Sequence, residues 1–395
     1  MEKTERLYYT DCYLREFDAQ VVRVEPGPGQ VRVYLDRTAF YPDSGGQPAD
    51  RGTLSEIPVL QVVDEGDLVA HVLGRPPQEA RVTGRIEWAR RFDHMQQHTG
   101  QHILSAAFER VGNYQTVSFH LGAETSSIDL DSDRLGRRQI EEAEELANQI
   151  VFEDRPVRIL FCPSREATAM DLRKPTERAG EVRVVEVEDF DRSACGGTHV
   201  SRAGAIGLIC VRRFERMKGL TRVEFICGGR ALACARRDFL SLSEAARMFS
   251  TGFESVPALI AKQAEELRAA SRARAKLLER LAEYQARELW QAAAQKNGRK
   301  IIRQVFAAED NLEAKMVAHA VGKLGSAVAL IGVKGKPTAL YFSQSAGGGA
   351  DMGAIMRETA AKVGGKGGGT RDFAQGGGLE ESRLEEALAI AESLL

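Results

Sequence analysis

The chain has 395 residues, 43% hydrophobic and 28% charged, which predicts a soluble globular protein of roughly two to four domains. Its formal charge of -2, from 54 Lys and Arg against 56 Asp and Glu, excludes a polyelectrolyte that grips nucleic acid over its whole surface but leaves room for a local basic face. No apolar run approaches the ~18 residues of a membrane span, and the opening MEKTERLYYTDCY lacks an apolar signal core, so neither a membrane nor a secretory role is predicted.

In chain order, the segment ahead of Trp88 reads as β-rich. VVRVEPGPGQVRVYLD holds two alternating runs about a Pro/Gly turn, and IPVLQVVDEGDLVAHVL predicts a hairpin over DEGD. From Trp88 the period becomes helical through FDHMQQHTGQHILSAAFERVG, ending at Gly112. SSIDLD reads as a strand and RRQIEEAEELANQIVFED as an amphipathic helix. VRILFCP, VRVVEVEDF and a hairpin over IGLICVRRFERMKGLTRVEFICG complete an α+β block that closes near Gly229. Over 256–296, Ile260, Ala264, Leu267, Ser271, Leu278, Leu281 and Gln285 follow a three-four spacing. This predicts a long helix or helical hairpin, with a coiled-coil seam interrupted by Arg274. Beyond Gly298 an α/β module is predicted: strands in KIIRQVFA, AVALIGV and TALYFSQS, a helix near 354–363, the segment GGKGGGTRDFAQGGG, and a last helix near 380–395.

Two short stretches carry the chemistry. HTGQH sets His98 and His102 at i and i+4, so on a helix both imidazoles leave the same face. CGGTH sets Cys195 and His199 at the same spacing, around glycines that let the backbone bend about an ion. Three imidazoles and a thiolate select zinc over magnesium or calcium. His94 also stands i,i+4 to His98, as an alternative to His102 or as a partner behind the ligands. Four protein ligands ordinarily mean a structural zinc, whereas a catalytic one keeps a position for water or substrate. The sequence leaves both roles open. The other cysteines (Cys12, Cys162, Cys210, Cys227 and Cys234) read as small packed side chains, reduced, in a cytoplasmic setting.

HTGQH and CGGTH, with FYPDSGGQPADRG upstream and VSFHLG and SSIDLD between them, closely resemble the editing domain of alanyl-tRNA synthetase and its freestanding relatives, the AlaX family. GGKGGGTRDFAQGGG resembles the glycine-rich signature of the synthetase's C-terminal C-Ala domain. The order matches the long form of AlaX. The resemblance implies an α+β multidomain protein: a β-barrel-like domain over 1–86, a zinc-dependent editing domain over 87–235, a helical linker over 236–298 and a glycine-rich α/β C-Ala-like domain over 299–395.

It also implies an activity. A freestanding editor hydrolyses the ester that joins serine, and in a second instance glycine, to tRNA for alanine. An alanine pocket rejects those two amino acids poorly, and a separate site built around the serine hydroxyl can do better. By the family's motifs His98, His102, Cys195 and His199 hold the zinc, Ser118 or His120 reads the hydroxyl, and Gly45 and Gly46 shape the pocket wall. The C-Ala-like module implies tRNA contact, with Lys366 and Arg371 supplying charge and the glycines offering backbone N–H groups to phosphate, and it implies a homodimer. No aminoacylation domain precedes the editing region in this sequence, and GxxxxGK[ST] and an Asp-His-His triplet are absent, so deacylation without charging is expected. The competing expectations are a tRNA-binding or assembly factor with a purely structural zinc, and a zinc hydrolase of another acyl-nucleotide ester.

Overall fold

The computed structural model describes residues 3–175, 180–296 and 298–395. The chain forms two compact units, Met1–Glu244 and Ala245–Leu395.

In the first unit, strands Glu16–Gly27, Gln30–Leu35, Leu68–Leu73, Ile57–Glu65, Gly52–Leu54 and Arg81–Ile86 pair in that order and close into a barrel. Alternation drives this. Phe17, Ala19, Val33, Leu35, Val62, Val69, Leu73 and Val82 point inward into one apolar cluster, and closure leaves no open sheet edge. The turns over PGPG and DEGD fall where the glycines suggest, with Gly29 and Gly66 at φ of +70° and +80°.

Helix Trp88–Gly112 follows and ends on Asn113 in the left-handed conformation. Its stretch from Gln97 to Phe108 is buried throughout. It packs on a four-stranded antiparallel sheet ordered Ile209–Met217, Leu220–Cys227, Ser126–Leu130, Thr116–Leu121. Helix Arg137–Phe152 lies beside it through Ile140, Ala143, Ala147 and Ile150. A three-stranded antiparallel sheet, Val157–Pro163, Glu181–Val187 and Asp191–Ala194, carries the chain to the CGGTH segment. Barrel and helical block are joined by a buried ion pair between Arg91 and Asp50, both side chains fully inaccessible. Arg91 also donates to the carbonyls of Cys12 and Ala39, so its charge and its N–H groups are met together. Helix Gly228–Met248 then runs through residue 235 to the edge of the unit.

In the second unit, Val256–Ala292 is one unbroken 37-residue helix rather than a helical hairpin. It is buried at its first residue, Val256, and again near its C-terminus through Ala282 and Ala286, whereas Ile260, Leu267 and Leu281 on the three-four seam are exposed. A six-stranded sheet orders Gln295–Lys296, Arg299–Phe306, Ala327–Val333, Ala339–Gln344, Phe373–Gly377 and Lys366–Gly369. Helix Asn311–Gly322 covers one face, and helices Met352–Val363 and Leu384–Ser393 cover the other. The glycine-rich segment is a hairpin, with Lys366–Gly369 at the edge of the sheet. Its two arms are strands paired with each other from Lys366–Gly377 to Gly369–Ala374, so much of their backbone hydrogen-bonding capacity is already used.

Candidate metal centre

Helix Trp88–Gly112 presents His98 and His102 from one face, and the CGGTH turn brings Cys195 and His199 onto it. One ligand atom from each of the four side chains lies within 4.8 Å of all the others. The Cys195 Sγ stands 3.5 Å from His98 Nε2 and 3.3 Å from His199 Nε2. Ordinary zinc–sulfur and zinc–nitrogen bond lengths put two such ligands about 3.6 Å apart on a tetrahedron. The donor set and its spacing therefore fit a tetrahedral ion of the zinc type.

The histidine tautomers follow from their outer hydrogen bonds. His98 Nδ1 donates to Gln47 Oε1 at 2.8 Å, and that amide is oriented because its Nε2 donates to Thr198 Oγ1 at 2.9 Å. His102 Nδ1 faces the Asp191 carboxylate at 3.2 Å. His199 Nδ1 lies 3.2 Å from Thr99 Oγ1, whose own hydrogen goes to the Met95 carbonyl, so the imidazole must be the donor. Each ring thus commits its Nδ1 proton outward and keeps an Nε2 lone pair for the centre.

Electrostatics agree with this arrangement. Burial pushes His98 down to about 3, with help from the Arg183 and Arg173 charges, and burial likewise holds His199 well below the usual imidazole range. Both rings are neutral near pH 7 and able to coordinate. At Cys195 burial acts to raise the thiol, but the neighbouring groups, among them the Gly197 N–H and the Arg183 charge, outweigh it and lower the thiol. Arg183 also donates to the Cys195 carbonyl and to the Tyr9 carbonyl, fixing the CGGTH turn from behind.

His94 stands outside the group. It is buried, its Nδ1 has no hydrogen-bond partner among the described residues, and burial with the Arg90 charge brings it down to about 4. The glycine pair lies beside the centre: Gly45 and Gly46 adopt φ of +59° and +83°, and the Gly46 carbonyl accepts from Leu121 N at 3.1 Å. A Cβ on Gly46 would sit 2.8 Å from the Phe119 carbonyl oxygen. Phe119 stacks on His98 with centroids 5.3 Å apart.

Ser118 and His120 lie on the strand Thr116–Leu121. They alternate with Phe119 along the strand, so they lie on the sheet face away from His98. Ser118 Oγ donates to Asp129 at 2.6 Å, and Asp129 is held below the usual carboxylate range by Arg222 and then by Ser118 itself. On the side of the metal ligands lies a different polar chain. Gln101 Nε2 and Thr116 Oγ1 both donate to Ser105 Oγ, at 2.8 Å and 2.7 Å. Gln101 and Ser105 share the helix face of His98 and His102. Lys366 and Arg371 are exposed in the second unit, one at the start of the glycine hairpin and one at its turn.

Gln47, Asp191, Thr99 and Arg183 escaped the sequence reading. Thr99 sits inside HTGQH and could have been suspected. Gln47 and Asp191 come from 51 and 89 residues away, where no local spacing announces a partner.

The chain is thus an α+β protein whose first unit carries a buried cluster of three histidines and one cysteine able to hold a metal ion. Residues 182–224 match the threonyl and alanyl tRNA synthetase second additional domain, and residues 297–395 match the DHHA1 domain. The chain is 33% identical to the alanyl-tRNA editing protein AlaX-L of Pyrococcus horikoshii, over 98% of this chain and 97% of that protein. It is 32% identical to the alanine–tRNA ligase of Pyrococcus abyssi over 100% of this chain, spanning 44% of the ligase. The crystal structure of the C-Ala domain from Aquifex aeolicus alanyl-tRNA synthetase aligns at a TM-score of 0.24 and 23% identity, covering 26% of this chain and 96% of that domain. The chain belongs to the AlaX-L family of alanyl-tRNA editing proteins.

Proposed function

We propose that the protein hydrolyses the ester of seryl-tRNA for alanine, with glycyl-tRNA for alanine as a second substrate, and leaves alanyl-tRNA intact. The observation that carries this reading is the centre itself: four ligands with Nε2 and Sγ turned inward, walled by the Gly45–Gly46 turn and Phe119, in a chain similar along nearly its whole length to an editing protein. In the reaction, water attacks the ester carbonyl, the bond to the ribose oxygen breaks, and serine and tRNA leave. Zinc, when bound by His98, His102, Cys195 and His199, would supply positive charge that anchors the amino acid or polarises the ester. The chain's own groups do the rest. The glycine turn lets backbone approach the substrate where a Cβ would intrude, and Phe119 keeps water from the His98 side. We assign hydroxyl reading to Gln101, Ser105 and Thr116, in preference to Ser118 and His120, because their chain lies on the side of the ligands.

On this reading residues 1–86 and 87–235 form the barrel and editing parts of the first unit, 236–298 the helical linker, and 299–395 the tRNA-binding part. The protein works as a cytoplasmic homodimer. A second reading, a tRNA-binding factor with a structural zinc, is favoured by one observation: four protein ligand atoms lie within 4.8 Å of one another, enough to fill all four positions of a structural ion. Incubation with seryl-, glycyl- and alanyl-tRNA separates the two, because the binding factor releases no amino acid from any of them.

A further inference from the structure

Tyr8, Tyr9 and Tyr41 meet beside the metal-binding cluster, and they differ in what their hydroxyls have left to give. Tyr8 and Tyr9 end the short 3-10 turn Leu7–Tyr9, with their rings edge to face at 5.0 Å. Tyr8 in turn meets Tyr41 edge to face at 5.3 Å. Tyr41 is buried and its hydroxyl donates to the Ser44 carbonyl at 2.9 Å, so its hydrogen is committed to the glycine turn. Tyr8 is fully buried, so a ligand does not reach it. Tyr9 is half-buried, and its hydroxyl has one hydrogen-bond partner among the described residues, Arg6 Nη1 at 3.5 Å. A guanidinium can only donate, so the phenol oxygen accepts and its own hydrogen stays uncommitted.

The phenol faces the ligand turn. Arg183 donates through Nε to the Tyr9 carbonyl at 3.0 Å and through Nη1 to the Cys195 carbonyl, so one guanidinium fixes the two backbones against each other. The guanidiniums of Arg183 and Arg6 stand 5.5 Å and 5.7 Å from the Tyr9 ring centroid, and Arg6 is itself clasped by Asp64 at 2.8 Å and 2.7 Å, so the ring is held in place. Gly196 follows the ligand Cys195. A Cβ on it would lie 3.5 Å from Tyr9 Oη, and the three nearest atoms it would meet all belong to Tyr9. Those are ordinary contact distances and the Gly196 φ lies outside the left-handed region, so the fold itself does not demand glycine there. Gly197 is different, because a Cβ on it would collide with His98 Cε1 at 2.2 Å. Gly196 thus keeps open the space of one side chain, in front of an uncommitted hydroxyl and next to a ligand.

We infer that Tyr9 is a substrate-holding residue, whose hydroxyl donates to the free ribose hydroxyl beside the ester, in the space that Gly196 leaves open. The inference rests on the proposed aminoacyl-tRNA substrate and deepens it by naming what holds the terminal nucleoside. An amino acid esterified to that ribose always has a free hydroxyl on the neighbouring carbon. A carbonyl brought to the four ligands therefore brings this hydroxyl to their rim, where Tyr9 stands. The contact also selects RNA, because a DNA end lacks the second ribose oxygen.

The test uses seryl-adenosine analogues with a stable amide in place of the ester, made with and without the ribose hydroxyl beside it. Their binding to the full zinc-loaded chain is measured by calorimetry. The wild-type chain should bind the hydroxyl analogue about tenfold more tightly than the deoxy analogue, the worth of one hydrogen bond. Tyr9→Phe removes a single oxygen. It should lose about tenfold on the hydroxyl analogue and nothing on the deoxy analogue, with metal content and thermal unfolding unchanged. Gly196→Ala places a methyl group in the open space, and it should weaken the hydroxyl analogue while keeping its metal. Equal losses on the two analogues in Tyr9→Phe, or no preference between them in the wild-type chain, would overturn the role of Tyr9 and leave the proposed substrate standing. Failure of the wild-type chain to bind either analogue would contradict the substrate reading and remove this role with it.

Discussion

At the scale of single residues, the four candidate ligands are held in place by groups outside the cluster. Asp191 is the strongest of them because it brings a charge. It faces His102 and is itself clasped by Arg173 Nε at 2.8 Å, so the imidazole is both oriented and made a better donor. Asp191→Asn should therefore lower metal affinity about 10- to 100-fold, read by competition with a chromogenic chelator, while Cys195→Ala should remove stoichiometric binding. Undiminished affinity in Asp191→Asn would leave His102 oriented by packing alone. Gly46 makes a second residue-scale case. An alanine there would need a left-handed backbone, costing about 1–3 kcal/mol, and would press on the Phe119 carbonyl. Gly46→Ala should lose more activity than its modest fall in Tm explains. Substrate choice should divide the polar candidates. Thr116→Val and Gln101→Ala are expected to reduce the serine-to-alanine preference, with Ser118→Ala and His120→Ala close to wild type, in parallel kcat/KM measurements. The opposite ranking would return the hydroxyl reading to the far sheet face.

Among elements, helix Trp88–Gly112 has the most to do. It delivers two ligands, packs the sheet, and at its first turn carries Arg91 into the barrel. Removing the guanidinium leaves Asp50 buried without its counter-charge, so Arg91→Met should destabilise the first unit by about 3–5 kcal/mol in chemical denaturation. A change within error would mean that Asp50 is solvated in solution. This helix and both ligand pairs were legible in the sequence because helical period and i,i+4 spacing are local signals. So were the barrel hairpins, whose alternating runs flank Gly29 and Gly66. Other elements were not. Strand Asp191–Ala194 is too short to show a period, and helix Asn311–Gly322 went unread between two strong strand patterns. The arms Lys366–Gly369 and Phe373–Gly377 are strands made mostly of a residue that disfavours strands, so only their pairing across the turn reveals them. The same logic hid Gln47 and Asp191, whose roles come from tertiary contacts with no imprint on neighbouring residues.

Over the whole molecule, the candidate metal centre lies wholly within one unit. The first unit contains the four candidate ligands, His98, His102, Cys195 and His199, and the second contains the glycine-rich hairpin. A chain ending at Glu244 should keep its metal and its kcat on seryl-tRNA but show a higher KM, since it loses binding shared by ground and transition states. A fall in kcat with unchanged KM would mean that the second unit takes part in the reaction itself. The decisive measurement compares hydrolysis of seryl-tRNA and alanyl-tRNA, both on tRNA for alanine, by the zinc-loaded full chain. A site that hydrogen-bonds a hydroxyl rejects the analogue lacking it by orders of magnitude, so serine should be released rapidly and alanine at close to the uncatalysed rate. Equal rates on the two substrates, or no release from either, would contradict a proofreading role.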